Sequence, residues 1–143
     1  MFIGAYYHNL EIKGRLAIPQ AYRQELESGG VITRGLDGCL FLFPQSSWKQ
    51  LSEKLASLPL TTQAARSFIR LLVQSAVPLD FDNQGRTLIP EYLRNIANLK
   101  KQVVVAGALT RIEIWDRDLY HQHLDLLESQ NESLQQQLEG LNI

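Results

Sequence analysis

The sequence predicts an α+β fold built from two tandem copies of one unit, flanked by peripheral helices. Three observations support this. One segment recurs at a fixed offset. The same order of strand-like and helix-like stretches follows each copy. The composition, 45% hydrophobic and 20% charged over 143 residues, is that of a globular chain long enough to bury a core.

The repeat is the clearest signal. Glu11-Ile12-Lys13-Gly14-Arg15-Leu16-Ala17-Ile18-Pro19-Gln20-Ala21-Tyr22-Arg23 reappears as Asp82-Asn83-Gln84-Gly85-Arg86-Thr87-Leu88-Ile89-Pro90-Glu91-Tyr92-Leu93-Arg94. The shared frame is acid-x-x-Gly-Arg-x-x-Ile-Pro-x-x-x-Arg, with six matched positions at a single offset of 71 residues. Downstream, Val31-Ile32-Thr33-Arg34-Gly35 aligns with Val103-Val104-Val105-Ala106-Gly107, Leu40-Phe41-Leu42-Phe43 with Ile112-Glu113-Ile114-Trp115, and Trp48 with Tyr120, now at an offset of 72. One extra residue is what a small loop insertion gives. The boundary between the halves falls near residues 73–80. The chain divides into a first unit with its following helix (1–58), a connecting helix (59–76), a second unit (77–125) and a Gln-rich tail (126–143).

Each half carries the same elements. A strand over 6–12 or 77–82 leads into a turn at Gly14 or Gly85, where glycine reaches positive φ without a Cβ clash. A short apolar strand follows, 15–18 or 86–89. Pro19 and Pro90 then open short helices over 20–27 and 91–98, in the first turn, where a missing N–H is harmless; Gly29 and Gly30 close the first. Strands 31–34 and 40–43, and 103–106 and 111–115, form hairpins, and Leu36-Asp37-Gly38 carries the turn signal of the first. Ser46 or Ser47 is expected to cap a helix with Trp48, Leu51, Leu55 and Leu58 on one side, stopped by Pro59. Thr61 or Thr62 is expected to cap another, with Phe68 and Leu72 at i, i+4 spacing. From Asp118 onward, leucines at 124, 127, 134 and 138 form an amphipathic stripe, and the tip, 140–143, is expected to fray.

Charge bounds the partners. Lys plus Arg is 14 and Asp plus Glu is 15, a formal charge of −1. A uniformly basic nucleic-acid binder is excluded, so any DNA binding must come from locally placed charge or from charge multiplied by assembly. No apolar run approaches the ~18–20 residues of a membrane span, and residues 1–10 have no basic-then-apolar pattern of a secretory signal. The single cysteine, Cys39, excludes an intrachain disulfide and suits a reducing, cytoplasmic setting.

The residues that carry chemistry are the acid-x-x-x-Arg pairs, Glu11 with Arg15 and Asp82 with Arg86. Across a tight turn the carboxylate can accept from turn N–H groups or from the guanidinium, fixing the arginine and aiming it outward. Arginine suits phosphate oxygens and the O6/N7 edge of guanine, although a structural salt bridge pinning the hairpin explains the same spacing. Arg23 and Arg94, late in the short helices, can touch phosphate or simply face solvent. Lys13 in the first turn corresponds to the neutral Gln84 in the second, so the halves are electrostatically unequal. Arg34 and Arg111 are assigned only a rim role. Enzymatic readings find no support. His121 and His123 are two residues apart and diverge on a helix, so with His8 they make no metal signature. Cys39 has no evident partner and reads as a buried small hydrophobe. No phosphate-binding loop, Gly-x-Ser-x-Gly or Cys-x-x-Cys occurs. No cofactor, metal or small-molecule substrate is implied.

The chain resembles the MraZ family of transcriptional regulators, within the AbrB-like (SpoVT-AbrB) superfamily. The resemblance covers about residues 1–125. It rests on the opening Met1-Phe2-Ile3-Gly4-Ala5-Tyr6-Tyr7-His8, the phrase Thr33-Arg34-Gly35-Leu36-Asp37-Gly38-Cys39-Leu40, the run Ser57-Leu58-Pro59-Leu60 and both Gly-Arg-x-x-Ile-Pro segments. It implies two tandem AbrB-like units packed as a double-split β-barrel about a pseudo-two-fold axis, and a ring-shaped homo-oligomer. It further implies a non-enzymatic, cytoplasmic, nucleoid-associated regulator, commonly a repressor. Such a regulator binds short direct repeats of double-stranded DNA in the promoter of the division and cell-wall operon that it heads. The family's DNA-contacting signature, Asp-x-x-x-Arg, maps onto Glu11 to Arg15 and Asp82 to Arg86. The first copy departs from it, with Glu in place of Asp. Arg15 and Arg86 are therefore the expected direct DNA contacts, with Lys13, Arg23 and Arg94 on phosphate. The competing reading is an antitoxin-like interaction module, with residues 126–143 docking a protein partner.

Overall fold

The computed structural model describes residues 1–142. The first half runs β1 (Ala5–Asn9), β2 (Arg15–Ala17), α1 (Gln20–Arg23), β3 (Gly30–Arg34), β4 (Leu40–Pro44) and α2 (Gln45–Ala56). After α3 (Gln63–Val73), the second half repeats the series as β5 (Val77–Pro78), β6 (Arg86–Leu88), α4 (Glu91–Ile96), β7 (Gln102–Gly107), β8 (Ile112–Asp116) and α5 (Arg117–Ser129), and α6 (Asn131–Leu138) follows. The fold is mixed α+β.

Six strands form one antiparallel sheet in the order β1-β7-β8-β4-β3-β5, and β2 pairs antiparallel with β6 in a second, two-stranded sheet. Exchanging each strand for its counterpart in the other half reverses the six-strand order and leaves it unchanged. A pseudo-two-fold axis therefore passes between β4 and β8 and between β2 and β6. The first strand of each half leaves its own unit: β1 lies on β7, with Tyr7 opposite Val104, and β5 lies on β3. The two sequence repeats are thus interleaved and share their sheets.

The core follows from the two-residue strand period. Leu40, Leu42, Val103, Val105, Ile112 and Ile114 point to one face, where they bury against Leu16, Ile18, Ile89, Leu93, Tyr22 and Leu26. Phe41, Phe43, Val104, Ala106 and Trp115 point to the other, under Trp48, Leu51 and Tyr120 of α2 and α5. Covered on both faces, β4 and β7 read as continuous apolar runs rather than alternating ones. The hydroxyl of Tyr22 donates to the carbonyls of Ile3 and Gly4, tying the N-terminal segment to α1.

Several boundaries differ from expectation. β1 stops at Asn9, because the chain turns at Glu11. β5 is only two residues long and ends on Pro78, which has no N–H to continue the ladder. α1 tightens after one turn into a 3₁₀ segment, Gln24–Leu26. α4 ends at Ile96 because Asn98 turns left-handed at φ 51°; Leu99 N–H then bonds the Arg94 carbonyl at 2.9 Å and Asn98 N–H the Asn95 carbonyl at 3.2 Å, a Schellman closure. Pro19 and Pro90 stand at the N-caps rather than inside the first turn. Ser46 and Ser47 do not cap α2, which begins at Gln45 directly after Pro44. Thr62 holds the N-cap position of α3 without a side-chain bond. Asp116, not foreseen, caps α5 by accepting from Leu119 N–H at 3.2 Å. The first hairpin turn is as expected, with Asp37 and Gly38 both at positive φ. In the tip expected to fray, Glu139–Leu141 forms a 3₁₀ turn, and Ile143 lies outside the described residues.

Candidate nucleic-acid interface

The two Gly-Arg loops meet at the pseudo-two-fold axis because β2 and β6 pair, with Leu16 opposite Thr87 and Ala17 opposite Arg86. Each loop is a four-residue turn closed by glycine: Gly14 N–H to the Glu11 carbonyl at 2.8 Å, and Gly85 N–H to the Asp82 carbonyl at 3.1 Å. The glycines sit at φ 85° and 75°. The turns are then clasped crosswise. The Gly14 carbonyl accepts from Ile89 N–H at 2.8 Å, and the Gly85 carbonyl from Ile18 N–H at 3.3 Å. Arg94 Nε holds the Ile89 carbonyl at 3.0 Å and Arg23 Nε the Ile18 carbonyl at 2.8 Å. Each of these arginines also lies against the opposite turn, Arg94 beside Gly14 and Arg23 beside Gly85.

Asp82 pairs with Arg86 as the sequence spacing suggests, but Glu11 does not pair with Arg15. Arg15 Nη1 donates to Asp82 of the other half at 3.0 Å, and Glu11 receives Arg86 Nη1, its oxygens 2.8 and 3.0 Å away. Only Asp82 also serves its own loop: Oδ2 accepts from Arg86 Nε at 2.8 Å, while Oδ1 accepts from the N–H groups of Gln84 (2.9 Å) and Arg86 (3.0 Å). Glu11 makes no such turn bonds, because its extra methylene carries the carboxylate past the backbone to the facing arginine. The bonds from the Arg86 backbone and side chain hold the Asp82 carboxyl down at about 2, and its partners Glu11 and Asp82 raise the Arg86 guanidinium further. Exposed ion pairs of this kind add little stability; their effect is orientation. Arg86, 24% exposed, is gripped at two nitrogens, whereas Arg15, 45% exposed, is held at one. Among the described residues, Arg15 keeps Nε and Nη2 free and Arg86 keeps Nη2.

These loops form one wall of an open groove of about 920 Å³. Lys13, Arg15, Arg86, Arg94, Lys100 and Lys101 line it beside the carboxylate of Glu11, with Asp82 paired to the two loop arginines, which leaves an excess of positive charge. A chain of net charge −1 thus gathers six cations at one place, which focuses a positive field there. Of the expected contacts, Lys13, Arg15, Arg86 and Arg94 come together in the groove; Arg23 does not line it and sits under the Gly85 turn. Lys100 and Lys101, on the loop before β7, were missed, although adjacent lysines are a readable charge signal. Ile12, expected at the end of the strand over 6–12, stands instead at the tip of the first turn.

The other candidates lie apart. Arg111 stacks on Phe41 with its guanidinium carbon 4.5 Å from the ring centre and pairs with Glu113 at 2.9 Å. Arg34 has its Nε buried without a partner among the described residues. Cys39 is buried, and burial first and the Glu113 charge second push its thiol up out of the reactive range. His121 stacks on Tyr7 and His123 on Trp115. Burial, and then the charge of Arg23, lowers the pKa of His8. Among the described residues, no cluster of His, Cys, Asp and Glu could hold a metal, and no helix is long and apolar enough to cross a membrane.

Comparison with known proteins agrees with the internal duplication. The family model described as "MraZ protein, putative antitoxin-like" matches twice, over residues 1–71 and 72–141. A "Transcriptional regulator MraZ" of Halothermothrix orenii is 44% identical over 143 residues, covering both chains fully. One of Alkaliphilus metalliredigens is 43% identical over the same length, again covering both chains fully. One of Carboxydothermus hydrogenoformans is 46% identical over 123 residues, 86% of either chain. With both halves matched and full-length relatives at this identity, the chain belongs to the MraZ family.

Proposed function

We propose that the protein is a DNA-binding transcriptional regulator that represses the division and cell-wall operon it heads. It does so by gripping short direct repeats in the promoter with the groove around Arg15 and Arg86. The carrying observation is the gathering of six cations around one groove on a chain that is otherwise slightly acidic. Arg15 and Arg86 read base edges through their free N–H groups, and Lys13, Arg94, Lys100 and Lys101 meet phosphates. Arg23 secures the turn that carries Arg86. The interleaved sheets and the central β2–β6 pair suit a double-split barrel. One groove per chain gives modest affinity. Several copies in a ring, each meeting one repeat, multiply it through effective concentration, and repeats near ~10 bp apart place each contact on the same DNA face. The protein then resides with the nucleoid in the cytoplasm.

The test is fluorescence anisotropy with the fragment upstream of the protein's own gene, beside scrambled DNA, across a salt series. Repeat-dependent binding with a steep salt slope is expected. Substituting Arg15→Ala and Arg86→Ala together should abolish the preference for the fragment and leave the assembly size unchanged; normal binding by that variant refutes the assignment. A second reading, a protein-docking module, draws on the family description and on the exposed Leu126, Leu138 and Leu141 of the tail. Recovery of one stoichiometric partner, lost on deleting residues 126–143, would favour it.

A further inference from the structure

The tips of the two clasped turns differ in chemistry. Asn83 and Gln84 form the second tip, and both are polar. The first carries Ile12 and Lys13, and Ile12 is 99% exposed, more than any other large apolar side chain of the described chain. A lone surface apolar residue is ordinary. This one stands at the apex of a β-turn, where polar or small residues serve the backbone better. It touches no part of the core, so folding gains nothing from it. It also lines the basic groove with Arg15, Arg86 and Lys100. A fully hydrated sec-butyl group ringed by cations suits a partner that is anionic around an apolar point.

We infer that Ile12 is a specificity-determining residue that packs against the C5-methyl group of a thymine in the major groove. The inference rests on the DNA-binding reading above and deepens it. The major groove edge of duplex DNA offers one apolar group, the thymine methyl, beside the acceptors of guanine and the flanking phosphates. The free fork of Arg15, its Nε and Nη2, matches guanine O6 and N7, so the loop that delivers Arg15 to that groove carries Ile12 there too. The second loop, with Asn83 in the equivalent place, reads no methyl.

The experiment uses the fragment upstream of the protein's own gene, prepared in two forms, one with thymine and one with uracil throughout, which differ only in the C5-methyl. Wild type and Ile12→Ala are titrated against both by anisotropy. Wild type should lose about fourfold in affinity on uracil DNA for each methyl contact, the effect of leaving one buried carbon unburied, compounding with each further copy engaged. Ile12→Ala should bind thymine DNA as weakly as wild type binds uracil DNA, with little further loss on uracil. Asn83→Ala should keep the wild-type methyl dependence. Equal binding of both forms by wild type, or undiminished methyl dependence in Ile12→Ala, overturns the inference while leaving the regulator reading standing. Failure of wild type to prefer the thymine fragment over scrambled DNA overturns both. Sedimentation of Ile12→Ala should match wild type; a changed assembly size would place Ile12 between copies and overturn the inference.

Discussion

Gly14→Ala probes the clasp that sets the two arginine loops. At φ 85° an alanine meets a left-handed backbone that costs about 1–2 kcal/mol. Its Cβ would also stand 2.8 Å from the Ile89 carbonyl oxygen and 2.8 Å from Arg94 Nε. That carbonyl cannot step aside freely, because Arg94 holds it at 3.0 Å and the Ile89 N–H is itself bonded to Gly14 at 2.8 Å. Opening the contact sacrifices at least one of these hydrogen bonds, about 1 kcal/mol net. The expected destabilisation is roughly 2–4 kcal/mol, a fall in Tm of roughly 6–12 °C for a chain of this size. Gly38→Ala is the internal standard. Gly38 sits at φ 91° with nothing within 4 Å of the new Cβ, so it suffers the backbone cost alone, roughly 1–2 kcal/mol. Thermal unfolding of the three proteins at one protein concentration decides it. If Gly14→Ala melts no lower than Gly38→Ala, the turn is not clasped as described and the crosswise fixing of Arg86 and Arg15 fails with it.

Thr87 is buried on β6 with a hydroxyl that has no partner among the described residues. Thr87→Val should therefore stabilise the fold by about 1 kcal/mol, raising Tm by roughly 2–4 °C; a lower Tm would mean that the hydroxyl is bonded. Asp82 titrates near 2 in the folded state, below its ordinary 3.8, so the unfolded chain binds more protons between those values. Its stabilising effect is present above about pH 4 and disappears as pH falls toward 2. Asp82→Asn should be less stable than wild type at neutral pH, and the gap should close near pH 2 in acid-unfolding curves. Lys100→Ala with Lys101→Ala should weaken binding to promoter and scrambled DNA alike. The same change should reduce the slope of log affinity against log salt by about one per lysine per copy engaged. An unchanged slope would remove the lysines from the interface.

The sequence was most legible where local chemistry decides. Gly14 and Gly85 announced the turns, Asp37-Gly38 the hairpin, and the aligned halves the duplicated element order. What stayed hidden depends on the partner brought from afar. Glu11 stands four residues before Arg15, yet its carboxylate reaches Arg86, because the β2–β6 pairing places the other half's arginine within range and the longer side chain overshoots its own turn. Nothing in a one-dimensional spacing reveals that exchange. Arg23 and Arg94 read as phosphate contacts or solvated helix residues, but their Nε groups hold the carbonyls of Ile18 and Ile89. The groove itself was only half visible, since Lys100 and Lys101 join it through a helix closure at Asn98 that composition does not mark. The serine caps failed for a simpler reason: the Pro44 backbone already sets the start of α2.

Two identical subunits clasped about a true two-fold axis would be bound to present the same loop twice, and could only recognise a sequence that reads the same from either strand. Fusing the halves into one chain removes that obligation. One tip has become Ile12-Lys13 and the other Asn83-Gln84, while the pairing of β2 with β6 keeps them side by side. A groove with unlike lips has a front and a back. On the DNA-binding reading proposed above, it would fit a duplex better in one direction than in the other, so successive copies set down head to tail would all point the same way along the DNA. Direct rather than inverted repeats are the arrangement that such a polar reader favours.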